Sequence, residues 1–268
     1  MKNIVQGLWI GQSLSTMEQL SIMSYLENGC EYHLYTYEDV AGIPPRVILK
    51  DANEILPSSM IFQYREHRSY AGFSNYFRYK LLLEKGGWWS DLDIICLKPL
   101  TFDADYVFAS EQNMYNTEVA TSGIAKAPQG AEILEMAWTI CTSKDTRKLK
   151  WGETGPELMD ELIKKFSLHR YVQSAATFCP IPPHRFYEAL FPGHWVTFDE
   201  RTFTVHLWNE MWRRLSLDKD EIYAPKCLYE RLKRMYLYDP EKNSGTIPNL
   251  TLSSTIPALP EIHRTVQE

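Results

Sequence analysis

Asp91 and Asp93 stand one residue apart in the run Gly86-Gly87-Trp88-Trp89-Ser90-Asp91-Leu92-Asp93. On extended backbone, side chains at i and i+2 project to one face, which would set the two carboxylates about 7 Å apart at a strand end. Ionised carboxylates that close repel unless a positive charge lies beside them. A hard divalent cation with oxygen ligands is the matching partner, and a cation so held can carry a phosphorylated ligand. The tripeptide fits a polar turn after an aromatic strand equally well. On these three residues alone the two readings stand level.

The residues before the pair supply a frame. Phe73, Tyr76, Phe77, Leu81 and Glu84 recur at helical spacing and give a largely apolar face. Gly86-Gly87 stops that helix. Ser74, Asn75 and Arg78 share another of its faces. After the pair, Ile94 to Leu100 is a short apolar run closed by Pro99. The unit reads helix, tight stop, strand, Asp-x-Asp, strand. Strands are expected over 3–10, 31–37, 106–109, 119–125 and 202–206, and helices over 14–27, 129–141, 156–166 and 226–238. Segment 47–56 fits strand or helix, and 177–200 reads as irregular loops rich in Pro, His and aromatics. Such alternation predicts an α/β fold with a mainly parallel central sheet and a ligand site at strand ends.

The composition narrows the class. A chain of 268 residues with 44% hydrophobic side chains can bury a sizeable core. One domain over 1–240 is expected. Residues 241–268 lose charge and periodicity and read as a tail of disordered composition. A formal net charge of −6, with no nucleic-acid motif, argues against nucleic-acid binding. Five cysteines, none in a C-x-x-C pair, read as reduced buried thiols. No apolar run is long enough to span a membrane, and the first residues lack the apolar stretch of a secretory signal. A cytoplasmic location is expected. Lys226, Arg231, Lys233 and Arg234 on the last helix fit a solvated face or, alternatively, peripheral contact with the inner face of the membrane or a lipid-linked acceptor.

The core segment FSNYFRYKLLLEKGGWWSDLDIICLKPL resembles that of the glycosyltransferase family 32 group, whose sugar-binding region contains a DXD motif. The resemblance rests on Ser74, Arg78, Tyr79, Leu82, both glycines, both aspartates and Lys98-Pro99-Leu100. It extends to Gly7-Leu8-Trp9-Ile10-Gly11, Thr154-Gly155-Pro156, Phe191-Pro192 and Val205-His206-Leu207-Trp208-Asn209 with Trp212, in order over roughly residues 4–212. It implies a GT-A-like nucleotide-sugar-binding fold, a metal-dependent sugar transfer to a glycan or other hydroxyl acceptor, and retention at the anomeric carbon. Asp93 would be the principal ligand of Mn²⁺ or Mg²⁺, Asp91 would act through the ribose or a bound water, and His206 would complete the metal set. Imidazole suits Mn²⁺ better than Mg²⁺. Arg78 would grip the donor sugar or diphosphate through its fork of donors. Trp9 would lie beside the base. Ser74, Asn75, Tyr79 and Ser90 would line the donor site, Trp208 or Trp212 would give an indole N–H to the phosphate, and Thr154-Gly155 would face the acceptor. Asn75 stands where the family carries Asp, which leaves the donor sugar open, and Trp89 replaces the usual Tyr.

Each assignment has a plainer counterpart. His206 between Val205 and Leu207 fits a satisfied core histidine. Trp208 and Trp212 fit core aromatics, Trp9 a sheet residue, Thr154 a helix cap before Pro156, and Arg78 an ion pair with Glu84. Two rival functions come from other classes. An aspartyl-phosphate phosphatase also uses Asp-x-Asp, but Ile95 and the aromatics before Asp91 depart from its pattern. A non-catalytic carbohydrate-binding protein could keep the same shape, though the intact Arg78, Asp91 and Asp93 speak for catalysis. A glycosidase needs carboxylates on opposite sides of the scissile bond, unlike this pair.

Overall fold

The computed structural model describes residues 2–66, 68–192 and 198–238. The chain divides into a compact unit, Met1–Leu237, and Tyr238–Glu268. The expected tail 241–268 lies outside the described residues, as do 193–197 of the expected loop region.

Within the compact unit, strands β1 (Ile4–Trp9), β2 (Glu31–Thr36) and β3 (Ile48–Asp51) precede the long helix α2 (Ala71–Lys85), with α1 (Thr16–Glu27) between β1 and β2. Then come β4 (Gly87–Ser90), β5 (Ile94–Cys96), β6 (Val107–Gln112) and β7 (Glu118–Ala127). Helices α3 (Glu132–Ser143), α4 (Pro156–Lys165) and α5 (Ala175–Phe178) follow, before β8 (Thr204–His206), α6 (Asn209–Arg214) and α7 (Leu228–Tyr236). The central sheet has the order β3-β2-β1-β4-β7-β6. From β3 through β4 the pairings are parallel, and β7 and β6 close that edge antiparallel. The α/β fold with a mainly parallel sheet is the one expected.

The aromatic pair of β4 shows why both faces of the sheet are covered. Trp88 and Trp89 are adjacent and so point to opposite faces, yet each is only 1% exposed. Trp88 joins the core shared with α1 and α7, and Trp89 the core shared with α2, α3 and α4. A parallel sheet must be buried in this way on both sides. β1 has β2 on one side and β4 on the other, so the chain reverses its direction of travel across the sheet there. The crevice at the carboxyl ends of β1 and β4 is a topological switch point, where ligands of open α/β sheets bind.

The glycine stop after α2 aims β4. Gly86 has φ +65°, and a Cβ placed on it would stand 2.6 Å from the Gln129 backbone nitrogen. Gly86→Ala should therefore cost about 2–3 kcal/mol, left-handed strain plus a backbone clash, readable as a lowered urea midpoint at unchanged slope. An unshifted midpoint would refute this.

Three expectations need correction. Segment 177–200 is not wholly irregular, since it contains the end of α5 and a 3₁₀ segment, Pro183–Ala189. The six-residue α6 was not foreseen, because its left-handed entry at Trp208 leaves no cap pattern in the sequence. The last helix is less available to a membrane than its charges suggest. α7 packs on α1, and Lys233 is 2% exposed. Lys233 pairs with Glu230 at 2.5 Å and donates to the Glu221 carbonyl at 3.0 Å. Arg234 donates to the Pro225 carbonyl at 2.6 Å. Two of the four cations thus brace the protein itself. Among the described residues no helix is long and apolar enough to cross a membrane.

Candidate active site

Asp91-Leu92-Asp93 is a turn, not the extended strand end assumed from the sequence. The Ile94 N–H returns to the Asp91 carbonyl at 3.2 Å, and the Asp91 N–H reaches the Gly123 carbonyl of β7 at 2.8 Å. The turn separates the roles of the two carboxylates. Asp91 accepts from the Arg78 guanidinium at 2.6 Å and from the Trp89 indole at 2.9 Å, both through Oδ1. Asp93 accepts from the Asn209 N–H at 2.8 Å and lies 3.1 Å from His206 Nε2, both through Oδ2. Asp91 Oδ2 and Asp93 Oδ1 are the oxygens left for a cation.

Distant parts of the chain make these contacts. β5 pairs antiparallel with β8 and sets Ile94 opposite His206. That register delivers a histidine 113 residues away to Asp93. Trp208, at φ 60° and ψ 56°, then turns the chain so that the first N–H of α6 meets Asp93. The His206 ring stacks on Trp208 with centroids 3.7 Å apart, and its Nδ1 lies 3.9 Å from the Cys179 sulfur.

Arg78 is fixed from three sides. Besides Asp91 it donates to the Ser122 carbonyl and to Ser74 Oγ, and it lies over the Trp89 ring at 5.1 Å. Its expected plain partner, Glu84, pairs instead with Lys80. Arg78 Nε is buried without a hydrogen-bond partner, and so is the indole nitrogen of Trp9. Orphaned buried donors are costly, and both residues line one cleft.

Charge tuning follows from these neighbours. Burial pushes the Asp91 carboxyl up, against the pull of Arg78. Burial also acts to raise Asp93, but the His206 charge and the bonds from His206 and Asn209 outweigh it and hold that carboxyl below its usual range. For His206 burial favours the neutral ring, yet Asp93 prevails and lifts its pKa well above the ordinary value.

Arg78, Asp91, Asp93 and His206 all face a cleft of about 860 Å³, together with Trp9, Ser74, Asn75 and Trp208. That volume lies within the range of small-molecule sites. Several expected residues have their polar groups engaged elsewhere. The Tyr79 hydroxyl donates to the Thr154 carbonyl at 2.8 Å, and the Ser90 hydroxyl meets Tyr25 at 2.8 Å, so both are spent on packing. Trp208 donates its indole N–H to the Ile181 carbonyl at 2.7 Å, and Trp212 donates its own to the Leu207 carbonyl at 2.8 Å. Neither indole is free to reach a phosphate. Trp89, 1% exposed, offers no stacking surface, and its indole serves Asp91. Thr154 is 0% exposed and accepts from Asn75 at 3.4 Å. A Cβ on Gly155 would touch that same Asn75 amide at 3.1 Å. The acceptor-side assignment of Thr154 and Gly155 is thereby corrected: they brace Asn75, while Trp151, Gly152 and Pro156 beside them line the cleft.

The three-ligand metal set is also only partly assembled. Among the described residues no three His, Cys, Asp or Glu side chains are grouped to hold a metal. Asp93 and His206 meet, while the Oδ1 oxygen of Asp91 is taken up by Arg78 and Trp89.

Two further lining residues gave no signal in the sequence. Glu111 on β6 faces the cleft with its carboxyl raised by burial. Gly123 on β7 lies so close that a Cβ there would stand 3.3 Å from Asp91 Oδ2 and 3.5 Å from His206 Cε1.

The comparisons with known proteins agree in class. Residues 15–115 match the family model described as the glycosyltransferase sugar-binding region containing DXD motif. The matched stretch contains Arg78, Asp91 and Asp93, and it places the chain among enzymes of the glycosyltransferase class. No curated protein sequence matches the chain. Among solved structures, the glycosyltransferase GlyE of Streptococcus pneumoniae TIGR4 is 12% identical at a TM-score of 0.49, over 89% of this chain and 62% of that one. PaToxG glycosyltransferase is 17% identical at 0.47, over 62% and 70%. An active-site mutant of LgtC is 9% identical at 0.44, over 89% and 98%. All three TM-scores are below 0.5, a likeness too loose to speak for substrate.

Proposed function

We propose that this chain moves a sugar from a nucleotide-sugar donor to a glycan or other hydroxyl acceptor in a GT-A-like site, with a divalent cation at Asp93. The observation that carries the reading is the meeting of two ion pairs, Arg78 with Asp91 and Asp93 with His206, in one cleft at the switch point of the sheet.

The donor set fits a cation that also holds phosphate. Asp93 would hold the cation through Oδ1, the oxygen its partners leave open, and His206, 3.1 Å from Asp93 Oδ2, would join it once its ring gives up a proton. A shell with few protein ligands is completed by water and phosphate oxygens, as is usual for Mg²⁺-type sites. When bound, Mn²⁺ or Mg²⁺ would supply charge stabilisation for a departing diphosphate.

The chain's own residues do the rest. In the transfer, the bond from the anomeric carbon to the diphosphate oxygen breaks with its electron pair on oxygen. The acceptor hydroxyl oxygen bonds that carbon and loses its proton. Arg78, held rigid by Asp91, Ser74 and the Ser122 carbonyl, lines the cleft as a fixed positive charge where negative charge develops. Trp9 lines the same cleft, and in this reading its ring, with the indole nitrogen buried, lies beside the base. Retention is the outcome that the family resemblance supports. Intact charge pairs at the centre favour turnover over a purely binding role.

A thermal-shift screen tests this reading. Uridine or guanosine diphosphate at about 100 times its dissociation constant, with Mn²⁺, adds about 2.7 kcal/mol of stability. For a domain of this size that is a rise of roughly 5–10 °C in the midpoint. If neither nucleotide, nor adenosine, cytidine or thymidine diphosphate, raises the midpoint with or without Mn²⁺, the reading is wrong.

A further inference from the structure

The cleft extends well past the charged pairs, and its far rim is built differently. Trp151, in the loop before α4, is 39% exposed, and Tyr70, at the entry to α2, is 38% exposed. Tyr64 lies against Trp151 with ring centroids 5.1 Å apart at 45°. The Arg214 guanidinium, from the end of α6, sits 4.9 Å over the Trp151 ring. All four line the same cleft as Asp91 and Asp93. They come from three separate segments, so their gathering at one rim is a product of the fold.

Helix geometry gives the distance between the two regions. The Arg78 guanidinium reaches back along α2 to Ser74, one turn or about 6 Å along the axis from Tyr70. A saccharide seated on the aromatics would therefore lie beside Arg78, where its hydroxyl can meet a donor held there. α6 bridges the same interval from the other side: its first N–H binds Asp93, and its last residue, Arg214, reaches Trp151.

We propose that Trp151, with Tyr70 and Arg214, forms the subsite that seats the acceptor, and that the acceptor is a saccharide. The inference rests on the glycosyltransferase reading above for its word acceptor, but not for its chemistry. A pyranose presents an apolar face of C–H groups and a rim of hydroxyls. An exposed indole offers the flat, electron-rich surface that C–H groups contact favourably. Arg214, its Nε donating to Glu210 at 2.9 Å, and the Tyr70 hydroxyl add hydrogen-bonding groups along the same cleft. Trp151 is held at its angle by Tyr64 and Arg214, so little ordering is required when a sugar binds.

Protein-observed NMR on the full chain provides the test. The Trp151 indole N–H signal, assigned by its loss in Trp151→Phe, should shift saturably with at least one of the methyl glycosides of glucose, galactose, mannose and N-acetylglucosamine. Trp151→Ala should weaken that glycoside about tenfold, as loss of one aromatic contact does, while Trp151→Phe retains most of the affinity. Because the first readout uses the unaltered protein, poor folding of a variant does not void it. If none of the four glycosides moves the Trp151 signal, with uridine diphosphate and Mn²⁺ present or absent, or if they move only signals elsewhere, the inference is overturned. That result leaves the donor reading to its own nucleotide test. Conversely, glycoside binding at Trp151 in a protein that no nucleoside diphosphate stabilises would sink the transferase reading and keep the saccharide subsite.

Discussion

Asp93→Asn lowers turnover of the nucleotide sugar by on the order of 10³-fold, the size of effect seen when a positioned charge-stabilising group is lost from a water-excluded site. The substitution keeps shape and an oxygen for the Asn209 N–H, which Asp93 accepts at 2.8 Å. It removes the charge that pairs with His206 and would face a cation. Asparagine is a better choice than alanine here. Alanine would remove more than a charge, because Asp93 has two structural duties, toward His206 and toward the start of α6. Truncation would leave His206 without its counter-charge, and breaking a largely buried pair in this way is destabilising. Melting followed by circular dichroism should show Asp93→Asn folded, while a coupled assay for nucleotide release shows the loss. Turnover at the wild-type rate would take the carboxylate out of the mechanism.

Arg78→Lys costs about 10²-fold in kcat/KM even though the charge is kept. A lysine ammonium is a compact point charge without the guanidinium's planar fork, whereas this guanidinium binds Asp91, Ser74 and the Ser122 carbonyl together while lying 5.1 Å over the Trp89 ring. The same variant should move the acid limb of the pH–rate profile. Burial holds the Asp91 carboxyl above its ordinary range, and Arg78 is the main influence pulling it down. With that pull weakened the carboxyl rises further, so activity that needs ionised Asp91 is lost at a higher pH than in the wild type. Arg78→Met, which removes the charge altogether, should shift the limb further in the same direction. A rate and profile unchanged in Arg78→Lys would return Arg78 to a purely structural role.

Part of the site was legible because it is local. The helical spacing of Phe73, Tyr76, Phe77 and Leu81, the glycine stop and the aromatic strand fixed α2, the break and β4 within a residue or two. Arg78 and Asp91 lie 13 residues apart, and the single helix–strand unit between them makes their contact foreseeable. The same locality misled at Asp91-Leu92-Asp93, where extended geometry was assumed. The hydrogen bond from Ile94 back to Asp91 makes a turn instead, because β5 leaves the central sheet to pair with β8. The donor-facing reading of Tyr79, Ser90 and Trp212 failed for a related reason. Their types suit a ligand, but burial assigned their polar atoms to backbone carbonyls or, for Ser90, to the Tyr25 hydroxyl.

Most elements, though not α6 or the 3₁₀ segment Pro183–Ala189, the α/β class and the charged groups available for chemistry follow from periodicity, glycine stops and residue types, which are properties of short stretches. Which of those groups meet is a product of folding. It joined His206 to Asp93 across a strand pairing, sent the Trp208 and Trp212 indoles to carbonyls, and set Trp151, Tyr70 and Arg214 on one rim. The physical reason is that such meetings depend on how covered sheet faces, strand register and one left-handed residue bring distant segments together, and short stretches of chain carry no record of those distances.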